Sequence, residues 1–162
     1  MKSALKVDRR RLDAMLRAVD RAPSYKIGII GDEARMTAKG SLGTAEELSV
    51  AEVAAMHELG IGVPQRSWLL GWSSEKRSEA DKIVQQAFKR WAVDVTVPLN
   101  NALEGAMMLL VASIRRRIRA GIAPPLEEST KRRKKTRSGS KDTPLIDTGQ
   151  LVAAITYAEI TE

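Results

Sequence analysis

The pattern that most constrains this fold is an apolar stripe between residues 103 and 118. Its members are Leu103, Ala106, Met107, Leu110, Val111, Ile114 and Ile118. Steps of three and four residues place such side chains on one face of an α-helix. Gly121 and the pair Pro124-Pro125 end the predicted helix. Arg115, Arg116 and Arg119 lie off the stripe in the last turns, where their charge complements the helix dipole.

Three further segments have helical patterns. Residues 8–22 carry apolar side chains at helical spacing and stop at Pro23. Residues 49–60 open with the capping box Ser49–Glu52 and close at Gly60, which favours a left-handed end. Residues 74–91 place apolar side chains on one face, and a new helix start is predicted at Thr96, just before Pro98.

Two short segments are predicted to be strands. Residues 25–31 (YKIGIIG) are rich in β-branched side chains and end at a glycine. Residues 155–160 also carry β-branched side chains, and apolar and polar residues partly alternate along them. We expect the early and the late strand to pair with each other. Residues 32–44 and 61–70 are predicted to be a loop and an extended connection, and no internal repeat is visible.

The length and composition predict one domain over residues 1–162. A chain of 162 residues with 43% hydrophobic residues can bury a stable hydrophobic core without disulfides or bound metal ions. Cysteine is absent, which excludes disulfides and thiolate metal sites. The sequence has no apolar run long enough to span a bilayer, and its first residues predict no signal peptide.

Asp147, Thr148 and Gly149 form the tripeptide that aspartic proteases carry at their catalytic carboxylate. That chemistry needs two carboxylates, each held in a β-rich lobe, and neither a second such tripeptide nor enough downstream chain for a lobe is present. Gln150 follows Asp147 at the spacing of a capping box. We therefore predict that Asp147 begins a short helix over residues 147–154.

Other catalytic and metal motifs are incomplete. His57 and Glu58 begin a zinc-protease string, but Ile61 stands where the second histidine ligand is required. His57 is the single histidine, and we expect it to be a packed or capping residue. No glycine is followed by the lysine and hydroxyl residue of a phosphate-binding loop. The sequence therefore predicts no enzyme activity, cofactor or metal.

A basic run accounts for most of the net charge of +7. It comprises Lys131, Arg132, Arg133, Lys134, Lys135 and Arg137. Residues 121–143 show no apolar periodicity, so we expect a mobile basic loop there. Two interpretations stay open: a solvated loop, or an arm that contacts DNA phosphates or a neighbouring subunit. No aromatic residue interrupts the run, so base stacking is not supported.

The order of several motifs resembles the tail completion proteins of tailed bacteriophages. This is the virion morphogenesis family that includes the Mu type and overlaps with head–tail joining proteins. The segments that carry the resemblance are VAEVAAMHELG, VPQRSWL, SIRRRIRAGIAPPLEEST and PLIDTGQLVAAITY, with the basic run before the last of them. Together they span residues 50–157.

The family pattern can be placed on single positions of this chain. The His-Glu-Phe-Gly pattern falls on His57, Glu58, Leu59 and Gly60, with leucine in place of phenylalanine. The proline-arginine-aromatic pattern falls on Pro64, Arg66, Trp68 and Leu69, and Ser67 stands where a second proline is common. The remaining matches are Pro124, Pro125, Asp147, Thr148, Gly149 and Gln150.

The resemblance implies an α+β domain in which helices pack on a small antiparallel sheet of early and late strands. It also implies a structural virion protein that completes the tail or joins it to the head, commonly as a ring of six. The expected partners are copies of this chain, the tail tube or the head connector, with DNA in the lumen and no membrane. The expected location is the tail or neck of the virion, after assembly in the host cytoplasm. The alternative is an accessory protein that binds DNA without sequence preference through the basic loop.

Overall fold

A computed structural model describes residues 8–35, 48–134 and 142–160. The helices in these ranges are α1 (Arg9–Asp20), α2 (Asp32–Arg35), α3 (Val50–Leu59), α4 (Leu70–Glu75), α5 (Arg77–Val93), α6 (Leu99–Ala120), α7 (Glu128–Arg133) and α8 (Gln150–Ala154). The strands are β1 (Ser24–Ile29) and β2 (Ile155–Ile160).

The long helix α6 is the centre of the core. All seven residues of the predicted apolar stripe are buried, and Ile114 and Ile118 have no exposed surface. Side chains from α3, α4, α5, α8 and both strands belong to the same apolar cluster. A smaller cluster at the start of α6 joins Leu99 and Leu103 to Trp91 of α5, and α1 packs against it. The predicted helix and its buried face are confirmed.

The early and late strands form a two-stranded antiparallel sheet, as predicted. Ser24 pairs with Ile160 at one end and Ile29 with Ile155 at the other. Side chains alternate across a strand, so every second residue faces α6. Tyr25 and Tyr157 meet edge to face on that side, with ring centres 6.0 Å apart. The chain therefore has the predicted α+β architecture, with helices packed on a small antiparallel sheet.

The helix ends of α3 follow the predicted local chemistry. The Ser49 hydroxyl accepts from the Glu52 amide at 3.2 Å, and the Glu52 carboxylate accepts from the Ser49 amide at 2.7 Å. At the other end Gly60 takes a left-handed conformation with φ 76°. A side chain there would be strained by the backbone and would also meet Gln65.

The structure differs from the predictions at several element boundaries. α4 takes the last residue of the predicted connection and the first two of the helix predicted over residues 74–91, so that α5 begins at Arg77. α2 begins the loop predicted over residues 32–44, of which residues 36–44 lie outside the described residues. Thr96 does not begin α6, because its amide and hydroxyl both donate to the Asp94 carboxylate in a turn. α6 begins at Leu99, directly after Pro98.

The segment predicted to lack elements contains a helix. α7 covers residues 128–133, and Ile122, further upstream, is buried in the main core. The prediction that residues 121–143 contain no element is therefore wrong at residues 128–133, and the mobility of the segment stays a prediction. Residues 135–141, including Lys135 and Arg137 of the basic run, lie outside the described residues.

Candidate functional site

Three of the four segments that carry the family resemblance meet at one place in the fold. The end of α3, the connection to α4 and the turn after α6 converge there, over sequence separations of up to 59 residues. We call this place the motif junction. It comprises His57, Glu58, Arg66, Ser67, Trp68, Pro124 and Pro125.

Glu58 holds the start of α4 from a neighbouring helix. Its side chain is buried, with 8% of its surface exposed. One carboxylate oxygen accepts from the amides of Trp68 and Leu69 at 2.8 and 2.9 Å, and the other accepts from the Leu70 amide at 3.1 Å. These amides lie at the N-terminus of α4, where main-chain donors lack helical partners. The N-cap position, Leu69, has no side chain that could accept them, so α3 supplies the cap through Glu58.

Ser67 completes this cap. Its hydroxyl donates to Glu58 and accepts from the Gly71 amide at 2.8 Å. A proline at this position could make neither bond through its side chain. The Ser67 hydroxyl therefore adds two hydrogen bonds to the junction. Sequence analysis missed this role, although a serine shortly before a helix start is a recognisable capping signal.

Arg66 ties the connection before α4 to the turn after α6. Its guanidinium, 4% exposed as a residue, donates to the Pro124 carbonyl at 2.8 Å and the Pro125 carbonyl at 3.3 Å. Its amide donates to the His57 carbonyl at 2.7 Å. The peptide bond between Ala123 and Pro124 is cis. Burial lowers the pKa of Arg66, and the planar fork of the guanidinium can satisfy several carbonyls at once.

Two tryptophans fix α4 against α3 and α6. The Trp68 indole donates to the Ala54 carbonyl of α3 at 3.1 Å, and the Trp72 indole donates to the Ser113 hydroxyl of α6 at 3.1 Å. Both rings are buried in the main core. Arg117 of α6 also pairs with Glu75 at the end of α4. The short helix is thus held at its start, middle and end by other elements.

His57 lies half-buried beside Arg66. Its Nδ1 is buried and has no hydrogen-bond partner among the residues that the structure describes. Burial, and secondly the positive charge of Arg66, lowers the pKa of His57 to about 4. The imidazole is therefore neutral at pH 7.

The prediction that Asp147 caps a helix is wrong. α8 begins at Gln150, and the preceding Gly149 has φ 81°, a left-handed conformation that cannot belong to the helix. The Thr148 hydroxyl accepts weakly from the Gln150 amide at 3.5 Å and donates to the Gln150 side chain at 3.0 Å. Asp147 Oδ1 is instead buried, without a hydrogen-bond partner in the described part of the chain.

Asp147 lies close to Lys134 of the basic run. Burial lowers the pKa of Lys134, while Asp147 and Asp142 act against this and Arg66 acts with it. The Lys134 ammonium donates to the Thr143 carbonyl. Lys134 therefore fastens the basic run to the turn that precedes α8.

The other described members of the basic run differ in exposure. Lys131 pairs with Glu128 on α7, and Arg132 is exposed. Arg133 ends α7. Of the six cations predicted as one contact surface, Lys131, Arg132 and Lys134 are thus not equivalent, because Lys134 is half-buried and bonded within the fold.

The comparisons with known proteins give no assignment. No protein-family model, curated protein or solved structure matches the chain. Among the described residues, no three histidine or acidic side chains are grouped closely enough to hold a metal ion. No helix in those ranges is long and apolar enough to cross a membrane.

The motif junction positions chain segments. Glu58 and Arg66 direct their charges at main-chain groups, which fixes α3, α4 and the turn after α6 relative to one another. Because both groups are buried, each would be costly to leave unsatisfied.

We expect Glu58→Gln to lower the free energy of unfolding by about 1–3 kcal/mol, because the amide has one acceptor oxygen for four donors and carries no charge. Urea unfolding followed by circular dichroism measures this loss. The matched control is Glu104→Gln on the exposed side of α6, which should change stability by less than about 0.5 kcal/mol. Equal losses in the two variants would contradict the capping role of Glu58.

We expect His57 to make stability depend on pH between its ordinary pKa of 6.5 and its folded pKa of about 4. A base with a lowered folded pKa binds protons more tightly when unfolded, so this stability is complete above pH 6.5 and is lost as the pH falls. Because the ring is only half-buried, solvent screening limits the loss to about 2 kcal/mol.

The variant His57→Gln isolates this effect, since all carboxylates still titrate in it. Urea unfolding of both proteins at pH 7 and near pH 4 should show a smaller acid loss in the variant. Parallel stability curves over this range would contradict the prediction.

Proposed function

We propose that this protein is a non-enzymatic structural component of a phage virion. It completes the tail or joins it to the head as a ring of identical subunits. The proposal rests on the resemblance to tail completion proteins. Its partners would be other copies of the chain and the proteins of the tail tube or head connector, and its place would be the tail or neck.

One observation supports this proposal most strongly. Three of the four resembling segments are far apart in sequence, yet Glu58, Arg66, Pro124 and Pro125 are joined by direct hydrogen bonds or through one connection. A chance set of short motifs has no reason to converge at one junction. The pairing of β1 with β2 also agrees with the sheet that the resemblance implies.

A ring is compatible with the physical properties of the chain. A ring needs two different, complementary surfaces on each subunit, related by a rotation that closes. Large apolar side chains are exposed on α1 and on the outer side of α6, among them Leu12, Leu16 and Leu109. Buried contact between subunits is a common use of such side chains.

Deletion of the gene from the phage that carries it tests the proposal. We expect filled heads together with unattached or overlong tails in negative-stain images, because tails that are not completed cannot join heads. Expression of the intact protein in trans should restore infectious particles. Normal infectious particles from the deletion strain would refute the proposal.

The same assay separates assembly from proteolysis through Asp147→Asn. A structural protein should restore infectivity with this variant, provided that its melting temperature matches that of the unaltered protein. Failure of a normally folded Asp147→Asn protein would instead favour a catalytic carboxylate.

A second function, DNA binding through the basic run, is favoured by the exposure of Arg132 on α7. We expect DNA retention to fall when glutamine replaces Lys131, Arg132, Arg133, Lys135 and Arg137. The slope of the logarithm of the binding constant against the logarithm of the salt concentration should become shallower by about 0.9 for each lost phosphate contact. Lys134 is kept because it bonds to the fold. Binding to a DNA duplex is measured over a series of salt concentrations.

A variant with the same change in charge controls for net charge alone. It carries glutamine at the exposed residues Lys26, Arg77, Lys82, Lys89 and Arg90. Equal effects of the two variants, or retention unaltered by the first, would rule out a DNA site in the basic run.

A further inference from the structure

A groove lies between α6 and β2 on the outside of the fold. Its volume is about 470 Å³, within the range of about 300–1,000 Å³ that is usual for ligand sites. Met108, Val111 and Ala112 supply apolar lining from α6, and Ile155, Thr156 and Tyr157 supply the wall from β2. No residue of β1 lines it. The groove therefore follows the side of β2 that faces away from β1.

That side of β2 is an unpaired strand edge. Among the residues that the structure describes, β2 pairs with β1 alone. Arg115 of α6 donates to the Ile155 carbonyl at 2.7 Å and to the Ala153 carbonyl at 3.0 Å. The Ile155 carbonyl therefore points towards the groove. Main-chain groups alternate in direction along an antiparallel strand, so Tyr157 and Glu159 direct their N–H and C=O groups to the same side.

The charge of the groove comes from three arginines. Arg115, Arg116 and Arg119 all line it, and no acidic residue does. Arg116 and Arg119 are exposed and form no ion pair within the described residues. Arg115 Nε is buried and lacks a hydrogen-bond partner among the same residues. The groove thus offers cations that the fold itself does not neutralise.

We propose that this groove binds an extended peptide segment with carboxylate side chains, which adds to β2 as a third strand. An unpaired edge provides main-chain donors and acceptors for such a segment, and adjacent pockets select its side chains. Alternate side chains of the segment would face α6, where Met108 and Ala112 form an apolar floor. At the end of the groove that Arg116 and Arg119 line, carboxylates of the segment would pair with these two guanidinium groups.

The edge and the apolar floor favour a peptide over DNA. DNA phosphates would bind the arginines but would leave the main-chain carbonyls of the edge and the apolar floor unused, whereas an extended peptide can use all three. The inference goes beyond the proposed function, because it rests on α6 and β2 and would hold for a chain outside a virion.

The probe is a labelled octapeptide with threonine at every second position and, at the positions between them, two valines followed by two glutamates, so that apolar and acidic side chains share the face towards α6. Fluorescence anisotropy measures its binding. We expect Arg116→Glu with Arg119→Glu to weaken binding by about tenfold or more, since two attractions become repulsions. Arg77→Glu with Arg90→Glu, at exposed positions of α5, gives the same charge change away from the groove and should leave the affinity within about twofold. A peptide with glutamine in place of glutamate should bind much more weakly.

A second variant and a second readout test strand addition itself. Glu159→Pro removes an N–H from the free edge at an exposed position, which a β-sheet tolerates on an edge strand. We expect it to weaken peptide binding without unfolding the protein. Hydrogen exchange should show new protection of the Tyr157 and Glu159 amides when the peptide binds.

Several results would overturn the proposal. They are no binding of the acidic peptide, equal binding of the glutamine peptide, or equal effects of the groove and α5 charge reversals. A short DNA duplex that binds through Arg116 and Arg119, with no peptide protection of the β2 amides, would make the groove a phosphate site instead.

Discussion

Burial of one face of α6 is the constraint on which the rest of the structure depends. Ile114 and Ile118 are fully enclosed, and the covering elements come from both ends of the sequence. The sheet can form only because α6 brings β1 and β2 to the same side, since a lone two-stranded sheet has little stability in water. The polar contacts follow the same geometry: within little more than one turn of this helix, Ser113 and Arg117 bond to α4 and Arg115 bonds to β2.

The motif junction adds specificity to this apolar framework. A buried carboxylate and a buried guanidinium are costly to remove from water, and each becomes tolerable only when its full set of partners is in place. Glu58 requires three consecutive amides and a hydroxyl, and Arg66 requires the carbonyls of Pro124 and Pro125. Alternative packings of the short helix α4 would leave these charges unsatisfied. The junction therefore selects one arrangement of segments that apolar contact alone would fix only loosely.

The sequence predicts features that arise from local chemistry and misses those that arise from distant contacts. The stripe of α6, the capping box at Ser49 and the left-handed Gly60 are set by nearby residues, and all are confirmed. α4 and α7 have six residues each, too short for a readable apolar period. α4 is held instead by Glu58 of α3 and by the bond between Trp72 and Ser113 of α6. The cap predicted at Asp147 fails for a related reason. The spacing to Gln150 is right, but Gly149 turns the chain through a left-handed conformation that the spacing does not reveal.

The run Arg115-Arg116-Arg117 shows how one local pattern can serve several surfaces. Successive residues of a helix point about 100° apart, so three adjacent arginines cannot act on one partner. Arg115 closes over the start of β2, Arg117 pairs with Glu75 of α4, and Arg116 is left in the open groove beside Arg119. Arg115 and Arg117 are therefore bonded within the fold, whereas Arg116 and Arg119 face solvent along an unpaired strand edge. The inner face of α6 thus explains why the chain folds, whereas its outer face, with unneutralised cations beside open main-chain groups, is where we expect a partner to bind.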